Sequence, residues 1–366
     1  MKNFSIITTL ALFLGATSFA FAGHHSSSEH QDTKIKYVGY SQIGNPADVL
    51  EVKEESARAL TSGEVRVEVL AAPINPSDVL QIAGKYGVDA VLPARPGSEG
   101  VGRVTEVSAE VKSLQVGQLV LLASGSTWAE ELVGPAAGFL PLPNLGPIGA
   151  DVIEQLAMSA VNPLTALLML NSFADIKEGQ WIAQSAANSA VGGYVIQLAK
   201  QRGIKTVNIV RREGLAEDLM AKGADVVLID GPDLAAQIAK ATGNASIMLA
   251  LDPVGGDTFG RLADSVGYGG TLVTYGVLSG KPATLNTGKV IFNDTRLRGF
   301  WLYKWYQTAT MQEKMAAFGQ VIPLIANGTL KANVDSRFTV DQIKQAVTRA
   351  AQRGRNGKVL IVPSPL

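Results

Sequence analysis

Beyond His30 the sequence has no histidine, and it has no cysteine anywhere. A body so composed cannot use a histidine base, a histidine-containing triad, a thiolate nucleophile or a conventional zinc site, so no metal is expected. Chemistry must come from Tyr, Lys, carboxylates, backbone N–H groups or a bound cofactor. One stretch offers backbone groups. Ser185–Ala190 is a run of small residues, followed by apolar residues at helical spacing, Val191, Val195, Leu198 and Ala199. Laid over the phosphate-binding pattern G-x-G-x-x-G, its positions are Ala187, Ser189 and Gly192, so only the last glycine survives. Ala and Ser are nearly as small as Gly, and the backbone can still approach a phosphate if φ stays negative. The ordinary alternative is a small-residue turn that binds nothing. About 20 residues further on, where Asp or Glu would hold ribose hydroxyls, such a site would place an acid. This chain has Arg211 and Arg212 at the end of the next strand. Two cations suit a 2′-phosphate, so NADPH is expected rather than NADH; the plain alternative is a solvated strand end.

These residues need a strand, a tight turn, a helix and a second strand to hold them. Trp181–Gln184 is short and apolar, Val191–Lys200 is helical by its spacing, Gly203 stops it, and Thr206–Val210 is β-branched and apolar. That is one βαβ unit, with its first turn where a dinucleotide fold places pyrophosphate on a helix N-terminus. Strands then alternate with helices, as in a parallel sheet: Val226–Ile229, Ile247–Asp252, Gly270–Tyr275 and Leu297–Trp301. Upstream, Lys34–Leu142 reads as strand-rich. Glu64–Val69 (EVRVEV) alternates charged and apolar residues, Gly100–Val107 and Leu119–Leu122 read alike, and Gly and Pro punctuate the segment. Ala150–Asn171 reads as helical, with Pro163 starting a second helix after Asn162. Amphipathic helices are expected near Met311–Asn327 and Val340–Arg353, then a last strand, Gly357–Val362 (GKVLIV). The tail is expected to return and pack on the first domain.

The chain's 366 residues suffice for two domains and a large core. Its 32 basic and 32 acidic residues argue against nucleic acid as the main partner. Residues 1–22 have the form of a secretory signal: Lys2, an apolar Ile6–Phe21 too short for a comfortable membrane span, and Ala20-Phe21-Ala22 before Gly23. Gly23–Thr33 (GHHSSSEHQDT) reads as a disordered linker. Export to the periplasm or medium is the expectation. A cytoplasmic form would need a start codon other than Met, since no Met lies between Met1 and Met158.

Several motifs occur in order: Ala72–Asp78 (APINPSD), Gly97–Gly102 (GSEGVG), the small-residue turn, Gly269–Gly276 and Gly357–Leu360. Together they resemble the medium-chain dehydrogenase/reductase superfamily over residues 34–366. Zinc enzymes of that superfamily carry a His before the Glu of the Gly97 segment. Here that place is Ser98, and the metal-binding cysteines are absent, as in the zinc-free reductases. Gly84–Gly87 (GKYG), Val161-Asn162-Pro163, Ala187–Gly192 (ANSAVG), Asn208–Arg212, Val273–Gly276 (VTYG) and Arg298–Trp305 (RGFWLYKW) are similar to the mitochondrial-type trans-2-enoyl-thioester reductases.

The resemblance implies an α/β fold, a Rossmann-type doubly wound parallel sheet inserted in a GroES-like β-rich catalytic domain. The domains would be 34–160 with 302–366 (GroES-like) and 161–301 (NADPH-binding). It implies that Tyr86 gives a proton, with Trp301 beside it at the catalytic centre. Asn75 and Asn162 would lie at the cofactor; Asn188, Ser189, Ala190, Val191 and Gly192 would cradle pyrophosphate; Arg211 and Arg212 would face the 2′-phosphate. Tyr275, Gly276, Val277 and Leu278, with Phe300, Trp301, Leu302 and Tyr303, would flank the nicotinamide, and Lys358 would reach it from the last strand. The loops Tyr86–Arg95 and Ser124–Glu130 would shape the acyl pocket. A homodimer through edge strands near Leu297–Trp301 is expected. An NADPH:quinone or α,β-unsaturated carbonyl reductase is the close alternative, and a non-catalytic NADPH-binding protein is the alternative of another class.

Overall fold

The computed structural model describes residues 33–123 and 125–366. The expected signal segment, and all of the expected linker but Thr33, lie outside the described residues. Six strands form one wholly parallel sheet in the order Val226–Ile229, Lys205–Val210, Trp181–Gln184, Ile247–Asp252, Val266–Thr274, Arg296–Gly299. In chain order that is 3-2-1-4-5-6, the doubly wound arrangement. The order reverses between Trp181–Gln184 and Ile247–Asp252, so a crevice opens beyond the carboxyl ends of those two strands. The turn Ser185–Ser189 sits at that switch point. Strands buried on both faces read as continuous apolar runs, as Val207, Ile209, Leu249, Ala250 and Leu251 do here.

A second sheet is mostly antiparallel. Its order is Val334–Phe338, Lys358–Ile361, Glu64–Pro73, Gly100–Val107, Leu119–Leu122, Phe139–Pro141, with Glu131–Pro135 also paired to Glu64–Pro73. The tail thus returns to the antiparallel strands of the first half of the chain: Leu360 pairs with Pro73 and Ile361 with Ala72. Helices Ala150–Ala157 and Asn162–Ser172 lie between the two sheets and carry much of one core, with Leu156, Leu164, Leu167 and Met169 fully buried, as is Met158 in the link between them. No single described helix is long and apolar enough to cross a membrane.

Three elements differ from the sequence reading. The strand expected from Gly270 begins at Val266, because Ile247 pairs with Val266 and Leu249 with Thr271; the bulge between them absorbs Gly269, which is left-handed at φ 70°. The last strand of the parallel sheet is Arg296–Gly299 rather than Leu297–Trp301: Phe300 N–H still reaches Thr274 O at 2.9 Å, but Trp301 turns away to cap the helix Leu302–Thr308. The helix expected over Val340–Arg353 opens as a 3-10 turn, Val340–Gln342, with a Thr339/Gln342 capping box, and continues as Ile343–Ala351.

Candidate functional site

The small-residue turn leads into the helix Ala190–Gln201. Ser189 is its N-cap: the hydroxyl oxygen accepts from Gly192 N–H at 3.1 Å. The N–H groups of Ala190 and Val191 occupy the first helical turn, where no intrahelical acceptor exists. Asn188 is exposed at the tip. Gly192 cannot be larger, since a Cβ there would lie 2.5 Å from Ala187 O. The small residues at 187 and 189 therefore keep the close helix–strand packing with one glycine instead of three. Beneath the turn, Ser185 Oγ donates to Asp252 Oδ1, and Asp252 Oδ2 accepts from Gly255 N–H at 2.7 Å. Gln184 Nε2 donates to Gly192 O at 3.0 Å and to Asn208 Oδ1 at 2.8 Å.

The carboxyl edge of the sheet gathers most of the expected cofactor residues. Arg211 and Arg212 follow Lys205–Val210 directly, are exposed, and have no hydrogen-bond or ion-pair partner among the described residues. Tyr275, Gly276, Val277 and Leu278 follow Val266–Thr274. Gly276 is pressed on Pro253, whose carbonyl oxygen would lie 2.8 Å from a Cβ. Val277 and Leu278 are exposed apolar side chains at the crevice rim. The Tyr275 hydroxyl oxygen is buried with no hydrogen-bond partner at full geometry, close to the Ser189 hydroxyl, which accepts from Gly192 N–H. An orphaned phenol, two free helix N–H groups and two unpaired guanidinium groups at a switch point fit a phosphorylated dinucleotide.

Tyr86 and Trp301 meet across the seam between the sheets. Trp301 Nε1–H donates to Tyr86 Oη at 2.8 Å, the rings lie edge to face at 5.7 Å, and Tyr303 stacks on Trp301 at 5.1 Å. Gly87 admits this contact: a Cβ there would be 3.0 Å from the indole. Burial raises the Tyr86 phenol above its ordinary value, the Trp301 donor lowers it, and the charge of Asp78 raises it again. The group is therefore protonated at neutral pH. Phe300 packs edge-on against Phe173 at 6.0 Å, and Leu302 joins the same core.

The remaining expected residues, Asn75, Asn162 and Lys358, lie together but inside the protein, and around a residue that the sequence reading had not singled out. Glu99 is fully buried. Its Oε1 accepts from Asn75 Nδ2 at 2.8 Å, and its Oε2 accepts from Ala160 N–H and Val161 N–H, each at 2.8 Å. Asn75 Oδ1 accepts from Asn162 Nδ2 at 3.0 Å and from Lys358 Nζ. Asp78, also missed, accepts from Asn75 N–H at 2.8 Å. Burial raises the Glu99 carboxyl, against the attraction of Lys358, and lowers the Lys358 ammonium. Burial likewise pushes the Asp78 carboxyl up to about 6. A sequence signal existed: Glu99 is an acid immediately before an apolar strand (GVGRV), a place where a charge needs buried partners.

Comparison with known proteins agrees with this arrangement. A family model described as "Alcohol dehydrogenase GroES-like domain" matches residues 61–144, and one described as "Zinc-binding dehydrogenase" matches residues 190–318. The chain is 34% identical over 339 residues to the mitochondrial enoyl-[acyl-carrier-protein] reductase of Dictyostelium discoideum, covering 88% of this chain and 93% of that one. The complex of Etr1p, a Candida tropicalis protein, with NADP and crotonyl-CoA superimposes with a TM-score of 0.82 at 28% identity, over 90% of this chain and 100% of that one. A Bacillus thuringiensis structure described as a NADPH:quinone reductase superimposes with a TM-score of 0.81 at 28% identity, over 90% and 99%. The expectation of export is corrected by these relatives. The enoyl reductases matched over most of the chain are mitochondrial proteins by name, which points away from an exported enzyme. The chain belongs to the mitochondrial-type enoyl-thioester reductases, zinc-free members of the medium-chain dehydrogenase/reductase superfamily, and is an NADPH-dependent oxidoreductase.

Proposed function

We propose that the protein reduces the C=C bond of trans-2-enoyl thioesters. When bound, NADPH supplies the hydride that goes to the β-carbon. Tyr86 gives the proton that goes to the α-carbon, so hydride and proton together saturate the bond. One observation carries this reading: the indole N–H of Trp301 donates to Tyr86 Oη. The phenol hydrogen is then free to be given to substrate, and the oxygen left behind keeps a donor. Trp301 is thus the partner of Tyr86 and, with Phe300, Leu302 and Tyr303, a wall of the nicotinamide end. Asn188, Ser189, Ala190, Val191 and Gly192 would hold the pyrophosphate, Arg211 and Arg212 the 2′-phosphate, and Tyr275, Gly276, Val277 and Leu278 the opposite side of the crevice. Asn75, Asn162 and Lys358 would back the nicotinamide from the interior.

The domain division proposed is 34–160 with 302–366 for the catalytic part and 161–301 for the nucleotide part. It is supported by the return of Lys358–Ile361 to Glu64–Pro73. A homodimer is proposed through the outer edge of Arg296–Gly299, the last strand of the parallel sheet, near exposed Ile291 and Phe292. A solved Etr1p/Etr2p pair is described as a heterodimer, which agrees with an associating surface in this fold.

The test is NADPH oxidation by the purified protein with a trans-2-enoyl thioester and, in parallel, with a quinone. Turnover of the thioester to the saturated product is expected. Fast quinone reduction with no thioester reduction would replace this reading by the quinone reductase, which the Bacillus thuringiensis likeness favours.

A further inference from the structure

The second of the two inter-sheet helices, Asn162–Ser172, has no side-chain cap of its own. Its N-cap residue is Val161, and the next position but one is Pro163, which has no N–H. The donors at this end are served from elsewhere in the chain. Glu99 Oε2, 62 residues away, accepts from both Val161 N–H and Ala160 N–H. The same carboxylate's other oxygen holds the Asn75 amide, which fixes that amide's orientation. Its NH2 faces the carboxylate, and its oxygen faces Lys358 and Asn162. The Glu99 main chain is itself fixed: Thr127 Oγ1 donates to Glu99 O at 2.8 Å. Gly100, next in line, is so tight on the neighbouring strand that a Cβ would lie 2.9 Å from Ala71 O.

We propose that Glu99 is a positioning residue for the cofactor site: its carboxylate, at the start of the strand Gly100–Val107, holds the N-cap end of the helix Asn162–Ser172 and, through Asn75, sets the places of Asn162 and Lys358. This rests on the reading of Asn75, Asn162 and Lys358 as the residues behind the nicotinamide. Two oxygens of Glu99 take three donors, and one oxygen of Asn75 takes two. Both Glu99 oxygens accept, so replacing the carboxylate by an amide of the same size must place one NH2 against a donor.

That property gives the test. Glu99→Gln keeps the shape but turns one oxygen into NH2, which then faces either Asn75 Nδ2 or the Ala160 and Val161 N–H groups. In the Glu99→Gln/Asn75→Asp double variant the amide and the carboxylate exchange places. The new amide oxygen accepts from Ala160 and Val161, its NH2 donates to the new carboxylate, and that carboxylate accepts from Lys358 and Asn162. The buried charge is unchanged. NADPH binding is measured directly by fluorescence titration, so the result stands apart from whether enoyl thioesters are the substrate. Glu99→Gln is expected to weaken NADPH binding by about tenfold or more, the scale of a buried donor left unmatched. The double variant is expected to bind NADPH more tightly than Glu99→Gln alone, as complementary pairs in one network do, the change at Asn75 itself keeping it below the wild type. In steady-state assays the loss should fall on the KM for NADPH, with the KM of the acyl substrate moving less than about threefold. Wild-type NADPH affinity in Glu99→Gln would overturn the proposal. So would a double variant no better than the single one while circular dichroism shows both folded.

Discussion

A phenol that accepts a hydrogen bond from an indole keeps its own hydrogen to give, and Tyr86 is placed in that way by Trp301. Tyr86→Phe removes only the hydroxyl. It should lower turnover by about 10²–10⁴-fold, the range of a lost general acid, and leave NADPH affinity within about twofold. Full activity in that variant would make the tyrosine a packing residue. Trp301→Phe removes the donor but keeps an aromatic ring, so its loss should be smaller, and largest at the protonation step; a solvent isotope effect on kcat would report it. Asp78 offers a check by acidity. Burial pushes its carboxyl up to about 6, against an ordinary value of about 3.9. Its contribution to stability is therefore whole below about pH 4 and is lost as pH rises through about 6. Asp78→Asn keeps an acceptor for Asn75 N–H and cannot charge. The melting temperature of the variant relative to the wild type should climb between pH 4 and 7, and a calorimetric series with the opposite slope would refute the assignment. At this scale the sequence was uneven. Arg211, Arg212 and the missing histidines and cysteines could be read directly, because strand-end position and composition are local facts. Glu99 left only the mark of an acid before an apolar strand, and Asp78 less, because what makes them matter is a set of partners at 75, 160, 161 and 358, brought together only by the antiparallel sheet and the helices packed on it.

The turn that opens the helix Ala190–Gln201 works with one glycine because the other two fingerprint places need only small side chains. Gly192 is the exception, and Gly192→Ala puts a methyl 2.5 Å from Ala187 O. Overpacking of this kind costs about 1–3 kcal/mol. Both stability to urea and NADPH affinity should fall, whereas Ser189→Gly should retain most of both, since glycine is a tolerable cap. The paired arginines belong to the same element edge. Changing both to Ala should weaken NADPH by about tenfold to a hundredfold, as loss of charge-assisted contacts does, and leave NADH nearly untouched. Equal losses by calorimetric titration would remove the 2′-phosphate from their role. Elements with a clean period were legible to the residue: Trp181–Gln184, Val226–Ile229, Ile247–Asp252, Gly100–Val107 and Leu119–Leu122 are where the pattern puts them. Ends slipped where a bulge or a cap intervened, at Gly269 and at Trp301, since neither a skipped pairing nor a change of direction leaves a mark in periodicity.

Over the whole molecule the open question is the outer edge of the parallel sheet. Arg296–Gly299 is exposed throughout, and Ile291 and Phe292 beside it are exposed apolar side chains. An uncovered edge of this sort invites another chain. Light scattering should give the mass of a dimer, and Leu297→Pro, which removes an edge N–H, should give a monomer that retains NADPH binding. A wild-type monomer at high concentration would leave the edge as mere surface. The return of the tail has a different consequence, which concerns the order in which the molecule is assembled. Lys358 and the amide it holds on Asn75 are 283 residues apart in the chain. The parallel sheet, by contrast, is built from neighbouring segments. Contacts across so long a loop are slow to form. Until the last strand docks, Asp78 and Glu99 lack their ammonium, and a carboxylate cannot be buried alone at little cost. The nucleotide part is therefore the piece that can mature by itself. In a refolding experiment read by pulsed hydrogen exchange, amides of 181–274 should gain protection before those of 64–73 and 358–361, and the two flanking pieces should then close together in a single step.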